Sequence, residues 1–238
     1  MLKSRGVPEK QHALSLLASA AHPAADAVLT TFADALLAGT CAPELKLDVI
    51  EALRVRSAAS SSLAEKMKTY SASAAAIAQT ELLAGGSVEL GRDIVQNHLN
   101  ANCLACHSLE TAGGSEVGPN LRAIGAQHDA AYLLESLVTP SAKIATGFGL
   151  VNVTLKDRTE IVGTLNRETA TTVSVRLFDG TFKYVPRAEI VSVSEPVSIM
   201  PAMSAILQPR ELRDVVAFLS SQKGRRVDNR PAAADGEK

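Results

Sequence analysis

Two cysteines and a histidine stand close together near the middle of the chain, at Cys103, Cys106 and His107. Their spacing is C-x-x-C-H, the pattern of covalent attachment of a c-type haem. Two thiols at this separation can reach the two vinyl groups on one edge of a porphyrin and form thioethers. The residue that follows can then present an imidazole to the iron. The spacing therefore predicts a covalently bound haem with His107 as an iron ligand.

A pair of cysteines has other uses, and two of them are alternatives here. A redox-active dithiol normally follows a strand in a βαβ unit, whereas a helical pattern precedes Cys103. A structural zinc site requires two more ligands at matching spacing, and neither Cys41 nor the scattered histidines supply a second pair. These observations favour haem attachment over the dithiol and the zinc site.

The stretch after His107, residues 113–121, reads GGSEVGPNL. It resembles the segment G-x-G-x-x-x-G-P-x-L of class I c-type cytochromes. The resemblance implies that the carbonyl of Pro119 accepts a hydrogen bond from His107, which orients the ring and strengthens it as a ligand. It also implies that the first and last helices of that fold cross at Gly91 and Phe218.

The segment Ser198-Ile199-Met200-Pro201 precedes the last predicted helix and resembles the methionine loop of the same family. The resemblance implies that Met200 is the distal iron ligand. Met203, a histidine such as His128, and an open coordination position are the alternatives. The residues predicted to bind the cofactor are Cys103, Cys106, His107, Pro119 and Met200, of which His107 and Met200 bind the metal.

The order of the motifs narrows the resemblance. The C-x-x-C-H motif, VGPNL, a strand-rich insert, S-x-M-P and a last helix ELRDVVAFL follow one another as in the haem-binding cytochrome c domain of planctomycete and verrucomicrobial proteins. That domain often ends long chains with helical repeats and a propeller-type dehydrogenase-like domain. The resemblance covers about residues 83–222. It departs from many c-type cytochromes at Ile94 and Val95, where an aromatic residue is common.

Four segments of different character surround these motifs. Residues 1–82 carry apolar residues at helical spacing, and their layout is repeat-like. Residues 83–143 and 197–222 form the candidate cytochrome c domain. Residues 144–196 alternate apolar and polar positions over five short predicted strands. Residues 223–238 are predicted to form a disordered tail.

The expected fold is therefore mainly α, with an N-terminal helical, repeat-like region and a class I cytochrome c fold that contains a small inserted β-barrel-like unit. Because the residues on both sides of the insert would form one haem pocket, we expect the two ends of the insert to lie close together.

Composition argues against several other functions. Lys and Arg number 24 against 25 Asp and Glu, a net charge of −1, so the chain has no basic field for nucleic acid. No apolar run approaches the roughly 20 residues of a membrane-spanning helix. Trp is absent and aromatic residues make up 3% of the chain, which disfavours recognition by stacking. Three cysteines are too few for a disulfide scaffold.

A histidine and a thioether would fill both axial positions of the iron, so we expect one-electron transfer by an electron-transfer protein or domain and not by an enzyme. The expected partner is a redox protein, with a propeller-type dehydrogenase in the same native chain or complex implied by the resemblance. The alternatives are a haem peroxidase or ligand sensor with a labile distal ligand, and an interaction module with a structural haem.

Haem c is attached outside the bacterial cytoplasm, so we expect a periplasmic or otherwise exported protein. Residues 1–11 lack the apolar core of a signal peptide. The chain is therefore expected to be a mature or truncated form.

Overall fold

The computed structural model describes residues 6–73, 79–110 and 114–224. Their contacts divide the chain into two compact units. The first unit contains the described residues up to Arg92 together with Gln208–Phe218, and the second contains the other described residues. From residue 225 onward, the predicted tail lies outside the described residues.

Helices make up most of the first unit. They are α1 (Val7–Ser19), α2 (Pro23–Leu37), α3 (Lys46–Ser57) and α4 (Ser61–Ser71). A proline begins α2, where its missing N–H costs little, and the Nδ1 atom of His22 accepts a hydrogen bond of 3.1 Å from the N–H of Ala24. These helices share one buried core that includes Leu14, Leu29, Ile50, Leu53 and Leu63. Helices this short are marginal alone, so the shared core stabilises them.

Three further helices follow along the chain: α5 (Val88–Asn97), α6 (Ile124–Gln127) and α7 (Ala130–Val138). Asp129 caps α7, because its carboxylate accepts a hydrogen bond of 2.8 Å from the N–H of Tyr132. Within the second unit, a short 3₁₀ turn at Met203–Ala205 packs against α7.

The sheet consists of β1 (Leu150–Leu155), β2 (Glu160–Glu168), β3 (Thr172–Arg176), β4 (Phe182–Pro186) and β5 (Ile190–Val193). The strands run antiparallel in the order β4-β3-β2-β1-β5. Alternate positions face a separate core of Val151, Val153, Ile161, Val173, Val175 and Val185. A tight turn at Asp179-Gly180 links β3 to β4, with Gly180 at φ 84°.

The predicted fold class is wrong in two respects. Of the residues that the structure describes, 48% are helical and 14% lie in strands of a five-stranded antiparallel sheet, which makes the fold mixed α/β and not mainly α. The strands form a layer with its own core, so they are more than an accessory to the helices. The sheet is also not closed as a barrel, since β4 and β5 are its two edges. Alternation along a strand specifies which face is buried, but not whether edge strands meet, so it could not predict closure.

The last described helix is α8 (Pro209–Ser221). In the first unit it crosses α5 at Gly91, where an added Cβ would lie 2.8 Å from the Cβ of Phe218. Only glycine permits this approach. The guanidinium of Arg92 also lies over the Phe218 ring, 6.0 Å from its centroid. The structure thus brings together the two positions at which the resemblance implies a helix crossing.

Candidate functional site

The C-x-x-C-H segment forms a tight turn in the second unit. Its entry residue is Asn102, which has φ 37° and ψ 49°, and asparagine tolerates this left-handed conformation better than most residues. Cys103–Ala105 then form a 3₁₀ turn, and the N–H of His107 donates a hydrogen bond of 2.9 Å to the carbonyl of Cys103. One turn therefore carries both thiols and the imidazole.

Neither cysteine of the motif is in a disulfide, and they differ in exposure. Cys103 is half-buried and Cys106 is exposed. Burial raises the pKa of the Cys103 thiol. Cys103 therefore lacks the lowered thiol pKa of the nucleophilic cysteine in a redox-active pair.

The ring of His107 is anchored through one nitrogen. Its Nδ1 atom lies 2.7 Å from the carbonyl oxygen of Pro119. A carbonyl can only accept, so we assign the proton to Nδ1, which leaves the lone pair on Nε2. Burial lowers the pKa of His107, although the hydrogen bond to Pro119 opposes this shift. A neutral imidazole with one nitrogen held by the protein is the form that binds a metal ion.

Gly118 explains why the chain can pass so close to this ring. An added Cβ would lie 2.7 Å from Cε1 and 2.9 Å from Nδ1 of His107. The N–H of Gly118 also donates a hydrogen bond of 2.7 Å to the carbonyl of Cys106. The glycine therefore lets the loop lie against the imidazole and places the next carbonyl, that of Pro119, within reach.

Short hydrogen bonds hold the rest of this loop. The N–H of Leu121 donates to the carbonyl of Ser108 at 2.8 Å. The side chain of Asn120 donates to the carbonyl of Glu110 at 2.8 Å. Gly113, the first glycine of the cytochrome-like stretch, lies outside the described residues. Sequence periodicity could not predict that Ser108 and Asn120 stabilise this loop, because their hydrogen-bond partners are 13 and 10 positions away in the chain.

The two candidate methionine ligands occupy different surroundings in the second unit. Met203 is 3% exposed and begins the 3₁₀ turn that packs against α7. Met200 is half-buried, and its N–H donates a hydrogen bond of 3.1 Å to the hydroxyl of Ser198. The thioether of Met203 is thus committed to a packed core, whereas that of Met200 is partly accessible.

Other residues considered from the sequence have structural partners. The ring of His128 stacks on Tyr132 with centroids 3.7 Å apart and an angle of 8° between the planes. His98 accepts a hydrogen bond of 3.1 Å from the N–H of Ala101. Cys41 is buried in the core of the first unit, and burial raises the pKa of its thiol.

Some apolar side chains near the motif in the sequence are exposed. Several exposed apolar side chains of the second unit lie within a few positions of the C-x-x-C-H motif, of Gly118 or of Met200. They are Leu99, Leu104, Val117, Val197 and Ile199. Two thiols and a neutral imidazole on one turn match the chemistry that a covalently attached porphyrin requires.

Protein-family models were compared with the chain and none matches, and no curated protein matches it either. In residues 6–73, 79–110 and 114–224, no group of three or more His, Cys, Asp or Glu side chains could hold a metal ion. A porphyrin supplies four nitrogen ligands itself, so a haem site needs no such group. Among the helices described, none is long and apolar enough to cross a membrane.

Proposed function

We propose that the chain binds one haem c covalently and serves in one-electron transfer. Cys103 and Cys106 would hold the group through thioethers, and His107 and Met200 would bind its iron. The single observation that carries this proposal is the hydrogen bond of 2.7 Å between Nδ1 of His107 and the carbonyl of Pro119. It leaves Nε2 as the atom able to bind iron.

When bound, haem c supplies a one-electron ferric/ferrous couple. The carbonyl of Pro119 keeps the proton on Nδ1 of His107 and prevents the ring from turning. Ser198 orients the main chain at Met200. Because His107 and Met200 would both be used to hold the iron, the group would supply electron transfer and not substrate turnover, so the proposed role is that of a carrier. Its partner would be a redox protein, such as a dehydrogenase, in an exported compartment.

Two features of the described residues favour Met200 over the alternatives. Met203 is engaged in packing, and His128 is engaged in a ring stack. A peroxidase or a ligand sensor would instead require an open or labile distal position.

Expression of the exported chain with haem-maturation proteins tests the proposal. Haem should stay attached after denaturing acid extraction, and the intact mass should include one haem. Cys103→Ala/Cys106→Ala should abolish attachment. His107→Ala should prevent a stable low-spin product, because the proximal nitrogen is lost.

His128→Ala is the matched control, and its low-spin spectrum should equal that of the parent protein. Haem that extracts freely from the parent protein would show that the C-x-x-C-H motif does not attach it.

A further inference from the structure

The first strand of the sheet pairs with the chain segment that leads to Met200. The N–H of Leu150 donates to the carbonyl of Val197 at 2.8 Å, and the N–H of Val197 donates back to the carbonyl of Leu150 at 3.0 Å. This antiparallel bridge lies three residues before Met200 and brings the two ends of the insert together.

Contacts on both sides extend the bridge. An added Cβ at Gly149 would lie 2.6 Å from the Cβ of Pro196, so these two segments of the chain approach so closely that only glycine fits at position 149. The N–H of Ser198 donates to the hydroxyl of Ser141 at 3.1 Å, and Ser198 in turn accepts from the N–H of Met200. The chain from Pro196 to Met200 is thus held by consecutive contacts in the second unit.

Just before the bridge, Ser194 also pairs with β1: its N–H donates to the carbonyl of Asn152 at 2.9 Å, and its hydroxyl accepts from the N–H of Asn152 at 3.0 Å. Residues 193–196 line an open cavity of about 490 Å³ together with the end of β2, so packing does not cover that side. An ion pair of 3.7 Å between Arg176 and Glu116 links the sheet to the loop that carries Gly118 and Pro119. The Glu116 side chain is mostly exposed, and exposed ion pairs are weak. The bridge at Leu150 is therefore the stronger constraint.

We propose that β1 is a positioning element for Met200, acting through the reciprocal hydrogen bonds between Leu150 and Val197. The role of Met200 as a ligand rests on the proposed function, whereas the constraint on its main chain rests on these contacts alone. A segment ordered before the iron binds loses less conformational entropy on ligation. The sheet would thereby favour the thioether over external ligands.

Amide hydrogen exchange in the full chain without haem tests the constraint directly. Val197→Pro removes the N–H that donates to Leu150, whereas Val197→Ala keeps it and serves as the matched control. Val197→Pro should speed exchange over residues 198–203 by about tenfold, the upper range for one lost hydrogen bond. Val197→Ala should change it little, because the valine side chain is half exposed.

Gly149→Ala is the second variant, since its methyl group would push Pro196 away without removing a donor. It should also speed exchange over residues 198–203. In both variants the amides of β2 and β3 should keep their protection, which shows that the sheet is folded. Unchanged exchange over residues 198–203 in both variants would overturn the proposal.

Carbon monoxide binding to the ferrous, haem-loaded protein separates this proposal from the proposed function. Val197→Pro should raise the fraction of haem that binds carbon monoxide by about tenfold relative to Val197→Ala, because the same hydrogen bond is lost. Equal fractions in the two variants would overturn the positioning role. If Met200→Ala itself leaves the spectrum unchanged while exchange rises in Val197→Pro, the proposed ligation fails and the hold of β1 on the segment stands.

Discussion

The chemistry of His107 depends on two neighbours that are twelve and eleven positions further along the chain. The carbonyl of Pro119 accepts a hydrogen bond from Nδ1 of His107, and Gly118 leaves the space that this contact requires. Hydrogen bonds of this kind fix the orientation and tautomer of a ligating histidine. Met200 and Met203 are the two candidate sulfur ligands of the proposed iron site.

Substitution of the two methionines distinguishes them. Met200→Ala should abolish the ferric sulfur-to-iron charge-transfer band and admit carbon monoxide to ferrous iron, because the thioether proposed as a ligand is lost. The reduction potential should also fall. Absorption spectra and a redox titration measure these effects.

Met203→Ala is the control at this scale. It should leave the band in place but lower the free energy of unfolding by about 2–5 kcal/mol, the usual cost of truncating a buried methionine. Loss of the band in Met203→Ala and its retention in Met200→Ala would assign the ligand to Met203.

Among the elements, α3 and α8 are joined by buried charges in the first unit. Asp48 on α3 is 1% exposed and Arg213 on α8 is 4% exposed. Their atoms Oδ2 and Nη1 are 2.7 Å apart, and Arg210 contacts the other oxygen of Asp48 at 3.0 Å. Since a buried carboxylate without its partner is costly, this pair makes the position of α8 depend on α3.

Arg213→Met should therefore lower the free energy of unfolding by about 3–5 kcal/mol, because it removes a buried partner of Asp48. Arg210 is nearly half exposed and also contacts Glu51, so Arg210→Met should cost about 1 kcal/mol or less. Urea unfolding followed by circular dichroism measures both.

The double variant Asp48→Leu/Arg213→Met should recover much of the loss, since neither charge is then buried alone. A loss in Arg213→Met no larger than that in Arg210→Met would show that the buried pair does not stabilise the fold.

Across the whole molecule, two of the hydrophobic cores are separate. One is formed by helices of the first unit and the other by the strands of the second, and they share no residue. Stability is then expected to vary from region to region, since local opening depends on local packing.

Leu29→Ala and Ile161→Ala test this separation, because each creates a cavity in one core and should cost about 2–5 kcal/mol. Leu29→Ala should speed amide exchange in α2–α4 but not in β1–β3, and Ile161→Ala should do the reverse. A coupling energy in the double variant well above about 0.5 kcal/mol would contradict independent cores.

The sequence by itself determined the features that depend on short spacing. Each of these features depends on a few consecutive residues. They are the C-x-x-C-H motif, the alternation in β1 to β5 and the helical pattern before Cys103. Such patterns predict which side chains share a face, because the repeat of a helix or a strand is set by local backbone geometry. The resemblance to class I cytochromes also pointed to Gly91, Phe218 and Pro119 as neighbours of other elements.

Only the tertiary structure decided what depends on residues far apart in the chain. The open sheet instead of a barrel, the bridge from Leu150 to Val197 and the buried pair of Asp48 and Arg213 all join distant segments. The same holds for the burial of Met203, which separates it from Met200. Periodicity describes one segment at a time, whereas these contacts are selected by how all segments pack together, so no local pattern could predict them.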